Sequence, residues 1–349
     1  MNEIIKNRSE ILFIYDVTDA NPNGDVDENK PRIDEETGYN IVTDVRLKRT
    51  VRDYLYNFRQ QEIFVREIEY EPGKIQDAKL RAEDFLLDEN GNKISKSALG
   101  EKLKKENPKI SPEELLQVMK KIIDNNAKTR CIDIRLFGVT MPVEWDEKNR
   151  DSITYTGPVQ FKFGRSLHKV GEPTLIRGTG AFASEAGAKQ KTIREEYILP
   201  YSLIVFYGII NENTAKDTGL TEKDIDLLLD GIWNGTKNLI TRSKIGQIPR
   251  LLLQVIYKEK NYHIGELDHR IKLVKNNPDQ EDKEIRRIEE VKLDVTELVR
   301  VFEENKDKIE KIRYKKDKYL EIIKDGKKIE INELVEGVNF EELNFENIN

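Results

Sequence analysis

EILFIYDVTDANPNGD, residues 10–25, holds the reading from which the fold follows. Residues 10–17 are a β-branched and aromatic run with no glycine or proline, the composition of a buried strand. Asn21, Pro22, Asn23 and Gly24 then supply turn chemistry: the asparagine side chains bond their own backbone, and proline and glycine set the bend. A helix is expected next. From Thr43 to about Gln60, Leu47, Val51, Tyr54, Leu55 and Phe58 recur on one side at amphipathic spacing, with Thr43 as N-cap.

Residues 61–130 change character and read as an insertion. The segment is charged, turns at Pro72-Gly73 and Asn90-Gly91, and holds one short helix that starts at Ser111-Pro112-Glu113 and carries Leu115, Met119 and Ile122. Strand character returns at CIDIRLFG (131–138), VQFKFGRSL (159–167) and YILPYSLIVFYGII (197–210). A second helix runs from the capping box at Thr221 to about Ile240. It buries Ile225, Leu228, Leu229, Ile232, Trp233 and Leu239, and Gly231 and Gly235 permit a close approach. LLLQVIY (251–257) is the next strand, and LDVTELVRVF and YLEIIKDGKKIEI mark a helix and a hairpin in an ordered extension. Without its insertions, the order strand, helix, strands, helix, strand is that of a ferredoxin-like, RRM-like α+β sandwich.

The chain has 349 residues with 37% hydrophobic content, enough for one large core or two modest ones. Its longest apolar stretch, 198–210, is interrupted by Pro200 and Gly208 and is too short to span a bilayer, so no membrane partner is expected. The N-terminus lacks the apolar core of a signal peptide and the one cysteine, Cys131, has no internal disulfide partner, which points to the cytoplasm.

A net charge of -6 means that nucleic-acid binding would need a local concentration of cations. Three segments provide one. On the first helix Lys48, Arg52 and Arg59 line up beside the apolar stripe, with Arg46 and Arg49 flanking and Asp44 and Asp53 as counterweights. Residues 158–182 hold Lys162, Arg165, His168, Lys169 and Arg177 against Glu172 alone, and TRSKIGQIPR (241–250) holds Arg242, Lys244 and Arg250 against no acid. Each neutralised phosphate adds salt-sensitive, sequence-independent affinity. The bland alternative is a set of solvated faces paired with acids elsewhere in the chain. GEPTLIRGTGAFASEAGA (171–188), with Phe182, reads either as a mobile surface loop or as a projecting thumb whose apolar tip wedges between nucleotides or into a neighbouring subunit.

Chemistry finds few residues to work with. Asp19 to Asp27 matches the first part of a calcium loop, but Lys30 stands where the bidentate glutamate belongs. His168, His263 and His269 have no Cys or Ser companion, zinc ligands are too few, and no phosphate-cradling glycine pattern occurs; no metal, cofactor or catalysis is expected. Asp25, Asp27, Asp34 and Asp44 are the carboxylates from which a metal-assisted nuclease would have to be built.

DANPNGD with PRIDEETG and VTDVRLKRTVRDYL, then DIRLFG, TGPVQFKFGRSLH and GQIPRLLLQVIY, in that order, resemble the guide-RNA-binding backbone subunit of type I CRISPR Cascade complexes, most like subtype I-B and more distantly I-C. The likeness covers nearly the whole chain. It implies a non-catalytic, hand-shaped protein: an RRM-like palm from 1–60 and 131–257, an inserted finger region at 61–130, a thumb at 167–195, and a C-terminal extension at 258–349 packed on the palm. The implied partners are crRNA, target DNA reached through the guide, further copies of the chain in a right-handed helical filament, and other Cascade subunits.

Carried onto matching positions, the resemblance makes Lys48, Arg49, Arg52, Arg165, Arg242 and Arg250 phosphate contacts, and Arg177 and Lys244 belong to the same basic segments. His168 and Phe182 become thumb or intersubunit contacts, and Asn21 and Asn23 lie in the loop near the RNA. Because Arg52 lies off the apolar stripe, Arg52→Glu is expected to weaken RNA binding and leave the fold intact. Two other readings are a type III-like RNA endonuclease using loop aspartates, tested by Asp25→Ala or Asp34→Ala, and an RNA chaperone with an RRM core.

Overall fold

The computed structural model describes the backbone of residues 3–183 and 191–346, and the side chains of these other than 179–183 and 191–194. Strand β1 (Ser9–Ala20) is central and apolar on both sides. Ile11, Phe13, Tyr15 and Val17 enter one core, and Leu12 and Ile14 enter a second core on the opposite face. Strand β2 (Tyr39–Val42) and helix α1 (Asp44–Arg59) follow. Thr43 caps α1 by accepting from Arg46 N, and Leu47, Thr50, Val51, Tyr54 and Leu55 are its buried face. Phe58 departs from the expected stripe. It is largely exposed in the last turn of α1 and stacks on Tyr54 with ring centroids 5.2 Å apart.

An inserted unit comes next: β3 (Glu69–Glu71) and β4 (Lys74–Ile75), then helices α2 (Ala78–Glu83), α3 (Lys96–Glu106) and α4 (Pro112–Arg130). α4 is long rather than short. The Ser111–Glu114 capping box starts it, with Pro112 in the first turn. CIDIRLFG is not a strand: Ile132–Phe137 is helix α5, and Gly138 ends it at a φ of 72°. α5 is buried on two sides, with Ile132 and Leu136 in the first core and Cys131 and Ile134 in a third core within the insert. Ile132, Asp133, Ile134, Arg135 and Leu136 alternate apolar and polar, the period of a strand, although they form a helix. The hairpin of β5 (Gly138–Glu144) and β6 (Arg150–Thr156) sends Met141, Val143 and Ile153 into that third core.

After β7 (Val159–Phe161) and β8 (Gly164–Lys169), β9 (Thr174–Ala183) pairs with the start of β10 (Lys191–Ile210). Much of 171–188, read from sequence as a loop, is therefore one strand of a two-stranded ribbon; Phe182 lies in β9, and its side chain is outside the described residues. Helix α6 (Glu212–Thr218) leads to α7 (Glu222–Lys237) and strand β11 (Gln247–Tyr257). α7 crosses α1 at its glycines: a Cβ on Gly231 would sit 3.0 Å from Val51 Cγ1, and one on Gly235 would sit 3.1 Å from Tyr54 Cβ.

The extension contributes β12 (Lys272–Lys275), β13 (Val291–Asp294), helix α8 (Thr296–Glu304), β14 (Ile309–Lys316), the hairpin of β15 (Ile322–Lys324) and β16 (Lys327–Lys328), and β17 (Asn339–Glu342). The main sheet runs β17-β14-β11-β1-β10-β8-β2. β1 is antiparallel to both β10 and β11. α1 and α7 cover one face, while Leu267, Leu293, Leu298, Phe302 and Ile322 of the extension cover the other along Leu203, Leu253 and Tyr257. Both faces of the central strands are occupied by the chain itself, which leaves the ends and edges of the sheet for a ligand.

Candidate RNA interface

The polar structure at the outgoing end of β1 is built by three loops. Asn21 N donates to Ser243 O at 2.9 Å and Thr18 N to Gly246 O at 3.0 Å, which ties the loop after β1 to residues 241–246. Gly246 has a φ of 102°, and a Cβ there would lie 2.3 Å from Thr18 O, so glycine is required where the two loops cross. Asn23 Oδ1 accepts from both Thr43 N and Thr43 Oγ1 at 2.9 Å, which fixes the cap of α1. Asn21 is fully buried and its Nδ2 donates to Asn29 O at 2.6 Å. The two asparagines singled out from sequence thus shape the loop.

Two cations meet here, neither of them in an ion pair among the described residues. Lys244 Nζ donates to Asn21 O at 2.6 Å, and Arg46 Nη2 donates to Thr50 Oγ1 at 3.1 Å while its Nε has no hydrogen-bond partner. Among the described residues neither has a carboxylate at ion-pair distance. Burial, and then the charge of Arg46, push Lys244 down to about 8. Burial also lowers Arg46, with Asp53 and Tyr15 opposing the shift and Arg49 adding to it. An arriving anion would relieve both groups.

The other predicted contacts all hold carboxylates. Lys48 pairs with Asp44 at 2.9 Å, Arg52 with Asp133 at 3.0 Å, and Arg250 with Asp16 at 2.8 Å and with Asp317; all three cations are mostly enclosed. In the pairs Arg49 with Asp53 (2.8 Å), Arg165 with Asp34 (3.1 Å), Arg177 with Glu195 (2.8 Å) and Arg242 with Glu196 (3.0 Å) the cation is about half exposed or more, while Asp34 and Glu196 are themselves mostly enclosed. Exposed pairs contribute little to stability, so Arg49 and Arg177 can exchange an acid for a phosphate at small cost, whereas the same exchange at Arg165 or Arg242 leaves a mostly enclosed carboxylate behind and costs more. Enclosed pairs cannot. The cationic ridge expected along α1 is accordingly divided: Arg46 joins Lys244 at the loop end, whereas Lys48 and Arg52 lie over the ring of Phe137, at 5.7 and 5.1 Å from its centroid, against α5.

Asp133 is 1% exposed and also accepts from Phe64 N and Val65 N, so Arg52 neutralises a buried carboxylate. The expectation that Arg52→Glu spares the fold is corrected on that ground. His168, expected at a thumb or intersubunit contact, is 2% exposed: its Nδ1 pairs with Lys169 O at 2.9 Å, its Nε2 accepts from Leu203 N at 3.2 Å, and burial holds it below the usual histidine range. It faces the interior of this chain.

The loop aspartates serve as turn acceptors. Asp25 Oδ1 accepts from Glu28 N and Lys30 N at 2.9 and 3.1 Å, and Asp34 Oδ1 accepts from Glu36 N and Thr37 N. Arg165 holds Asp34 below the usual carboxylate range. Among the described residues no group of three His, Cys, Asp or Glu side chains is arranged to hold a metal ion, and no helix is long and apolar enough to cross a membrane.

Residues 7–296 match the family model described as CRISPR-associated protein Cas7. A Haloferax volcanii relative of the same description is 33% identical over 335 residues, covering 90% of this chain and 88% of the relative. Two solved chains are similar. One, from a CRISPR RNA-guided surveillance complex in a pre-nicking state, has a TM-score of 0.45 at 15% identity and covers 74% of this chain and 80% of its own. The other, from a CRISPR RNA-guided surveillance complex, has a TM-score of 0.42 at 12% identity and covers 88% of each. The extent of the sequence match is decisive: this chain belongs to the CRISPR-associated Cas7 family.

Proposed function

We propose that this chain is a non-catalytic, crRNA-binding backbone subunit of a type I Cascade complex, of the subtype I-B kind, working in the cytoplasm. Several copies line up along one guide RNA as a right-handed helical filament and leave bases free to pair with target DNA, alongside other Cascade subunits. In this reading β1, β8, β10, β11, α1 and α7 form an RRM-like palm drawn from 1–60 and 131–257. Residues 61–130 are the finger, the ribbon within 167–195 is the thumb, and 258–349 closes the far face of the sheet.

The observation that carries the reading is the Arg46–Lys244 pair, two half-buried cations with no carboxylate at ion-pair distance among the described residues, set where the loop after β1, residues 241–246 and the start of α1 meet, with Arg242 of the same segment reaching Glu196 on the ribbon strand. With both sheet faces covered, the RNA backbone tracks this end of the palm, and Arg177, Arg242 and Arg165 exchange their acids for its phosphates. The protein reads the shape of the backbone, and base pairing reads sequence.

The test is the salt dependence of binding to single-stranded RNA. Lys244→Ala and Arg46→Ala should each weaken binding and each reduce the slope of log affinity against log salt by about 1. Slopes equal to that of the parent would remove the interface from this end of the palm. Magnesium-dependent cleavage of target RNA that Asp25→Ala or Asp34→Ala abolishes would overturn the non-catalytic assignment.

A further inference from the structure

Exposed lysines elsewhere in the chain are held by acids: Lys74 Nζ lies 2.6 Å from Glu71, Lys93 Nζ 2.5 Å from Asp84 and Lys162 Nζ 2.9 Å from Asp268. Lys244 is placed differently. Among the described residues its Nζ donates to a backbone carbonyl, Asn21 O, and the charged group beside it is the Arg46 guanidinium. The position is built into the fold. Asn21 N donates to Ser243 O and Thr18 N to Gly246 O, while Lys244 N and Ile245 N both donate to Thr241 O, at 3.1 and 2.9 Å, and hold the segment in a tight turn.

Such surroundings make an amine a nucleophile. An ammonium group has no free electron pair, and a lysine gains one near neutral pH when desolvation and a neighbouring cation favour its neutral form. Both act on Lys244, burial first and Arg46 second. The carbonyl of Asn21 only accepts, so it takes one N–H and leaves the pair of the neutral amine unshared. Nearby acids are engaged elsewhere: Asp53, which acts on Arg46, is paired with Arg49, and Glu196 is paired with Arg242. The fixed charge of Arg46 attracts an anionic reagent to the same spot. An acyl group joined directly to phosphate matches both residues, because its phosphate is drawn to Arg46 and its carbonyl carbon is an electrophile for the amine.

We propose that Lys244 is an acylation site, modified by small acyl phosphates drawn to the Arg46–Lys244 pair. In the step the electron pair of Nζ forms a bond to the carbonyl carbon, and the bond from that carbon to the phosphate oxygen breaks. The oxygen keeps the bonding pair, the amine proton passes to it, and hydrogen phosphate leaves. The amide product keeps an N–H for Asn21 O but carries no charge, so the loop crossing is retained while one of the two cations is lost. The modification stands on the surroundings of the lysine. Its consequence rests on the guide-RNA reading, in which acylation switches off a phosphate contact and bound RNA shields the amine.

The experiment treats the purified full chain briefly with acetyl phosphate at about pH 8 and follows each lysine by peptide mass spectrometry, for the parent, Arg46→Ala and Lys244→Arg. Lys244 should be acetylated roughly tenfold faster than Lys74 or Lys93, because its neutral fraction at that pH exceeds an ordinary lysine's by more than the loss of access subtracts. Arg46→Ala should slow Lys244 several-fold and leave Lys74 and Lys93 as they were. Acetic anhydride, an uncharged donor, should depend on Arg46 less than acetyl phosphate does. Single-stranded RNA added first should protect Lys244. The treated parent should bind RNA as Lys244→Gln does, with a salt slope lower by about 1, whereas Lys244→Arg given the same treatment should keep its affinity. Thermal melting shows whether each variant is folded. Acetylation of Lys244 no faster than that of Lys74 overturns the proposal, and so does equal dependence of both donors on Arg46. Rapid acetylation that leaves RNA affinity unchanged would establish the site and remove Lys244 from the RNA interface.

Discussion

Arg52 Nε donates to Asp133 Oδ2 at 3.0 Å, joining the middle of α1 to the first turn of α5 across 81 residues of sequence. Asp133 uses its remaining capacity on Phe64 N (2.7 Å) and Val65 N (3.1 Å), so one carboxylate holds the palm helix, α5 and the start of the insert together. Removing the cation leaves a buried charge uncompensated. Arg52→Ala should cost about 3 kcal/mol in denaturant unfolding and Arg52→Glu more, so any loss of RNA binding in these variants reports on the fold. Wild-type stability in Arg52→Ala would show that the pair is not structural.

Lys244 makes RNA binding pH-dependent. Its amino group, ordinarily near 10.5 and pushed down to about 8 by burial and Arg46, loses its charge as the pH rises through that value. Affinity for RNA should fall between about pH 7 and pH 9.5, and Lys244→Arg, which stays charged, should flatten the profile. Its effect on folding runs the other way. Between about 8 and 10.5 the unfolded chain binds more protons at this position, so the Lys244 contribution to stability rises with pH across that window.

Gly246→Ala probes the loop crossing. Its φ of 102° and the 2.3 Å approach of a new Cβ to Thr18 O mean that the loop must shift, displacing Lys244 from Asn21. The expected result is a loss of about 1–3 kcal/mol together with weaker RNA binding. Unaltered affinity would separate the loop from the interface.

His168 makes the fold sensitive to acid. Burial keeps its folded pKa below the ordinary value, so as the pH falls below about 6.5 the unfolded imidazole takes up a proton before the folded one does. Stability contributed by this residue is present above that pH and lost beneath it. In His168→Gln the slope of unfolding free energy against pH between about 7 and 5 should correspond to up to about one proton fewer. Equal slopes would mean that the ring is not held neutral.

The central strands and the two helices that pack on them were legible because their signals are local: caps at Thr43 and Thr221, the apolar period of Leu47 to Leu55, and the glycines of α7. α5 was misread because its apolar and polar residues alternate like a strand's, and the partners that let the polar ones pack inside, Arg52 for Asp133 and Asp224 for Arg135, are remote in sequence. The β5–β6 hairpin gave one signal, Asp146, whose Oδ1 accepts from Lys148 N and Asn149 N at the turn. Gly178 and Gly180 weakened the β character of the thumb ribbon. At the interface the cations could be read from sequence, but their partners could not: Asp133, Asp34 and Glu196 are remote in sequence from Arg52, Arg165 and Arg242. Only the folded chain shows that Arg46 and Lys244 have no carboxylate at ion-pair distance among the described residues while Arg52 and Arg250 hold buried ones.

The most direct measurement is the mass of the complexes formed when the purified chain meets single-stranded RNAs of increasing length. A guide-RNA backbone subunit adds copies stepwise as the strand lengthens, and the Arg46→Ala, Lys244→Ala double variant loses that series while remaining folded. One copy per strand at every length, or a series that the double variant leaves unchanged, would contradict the account.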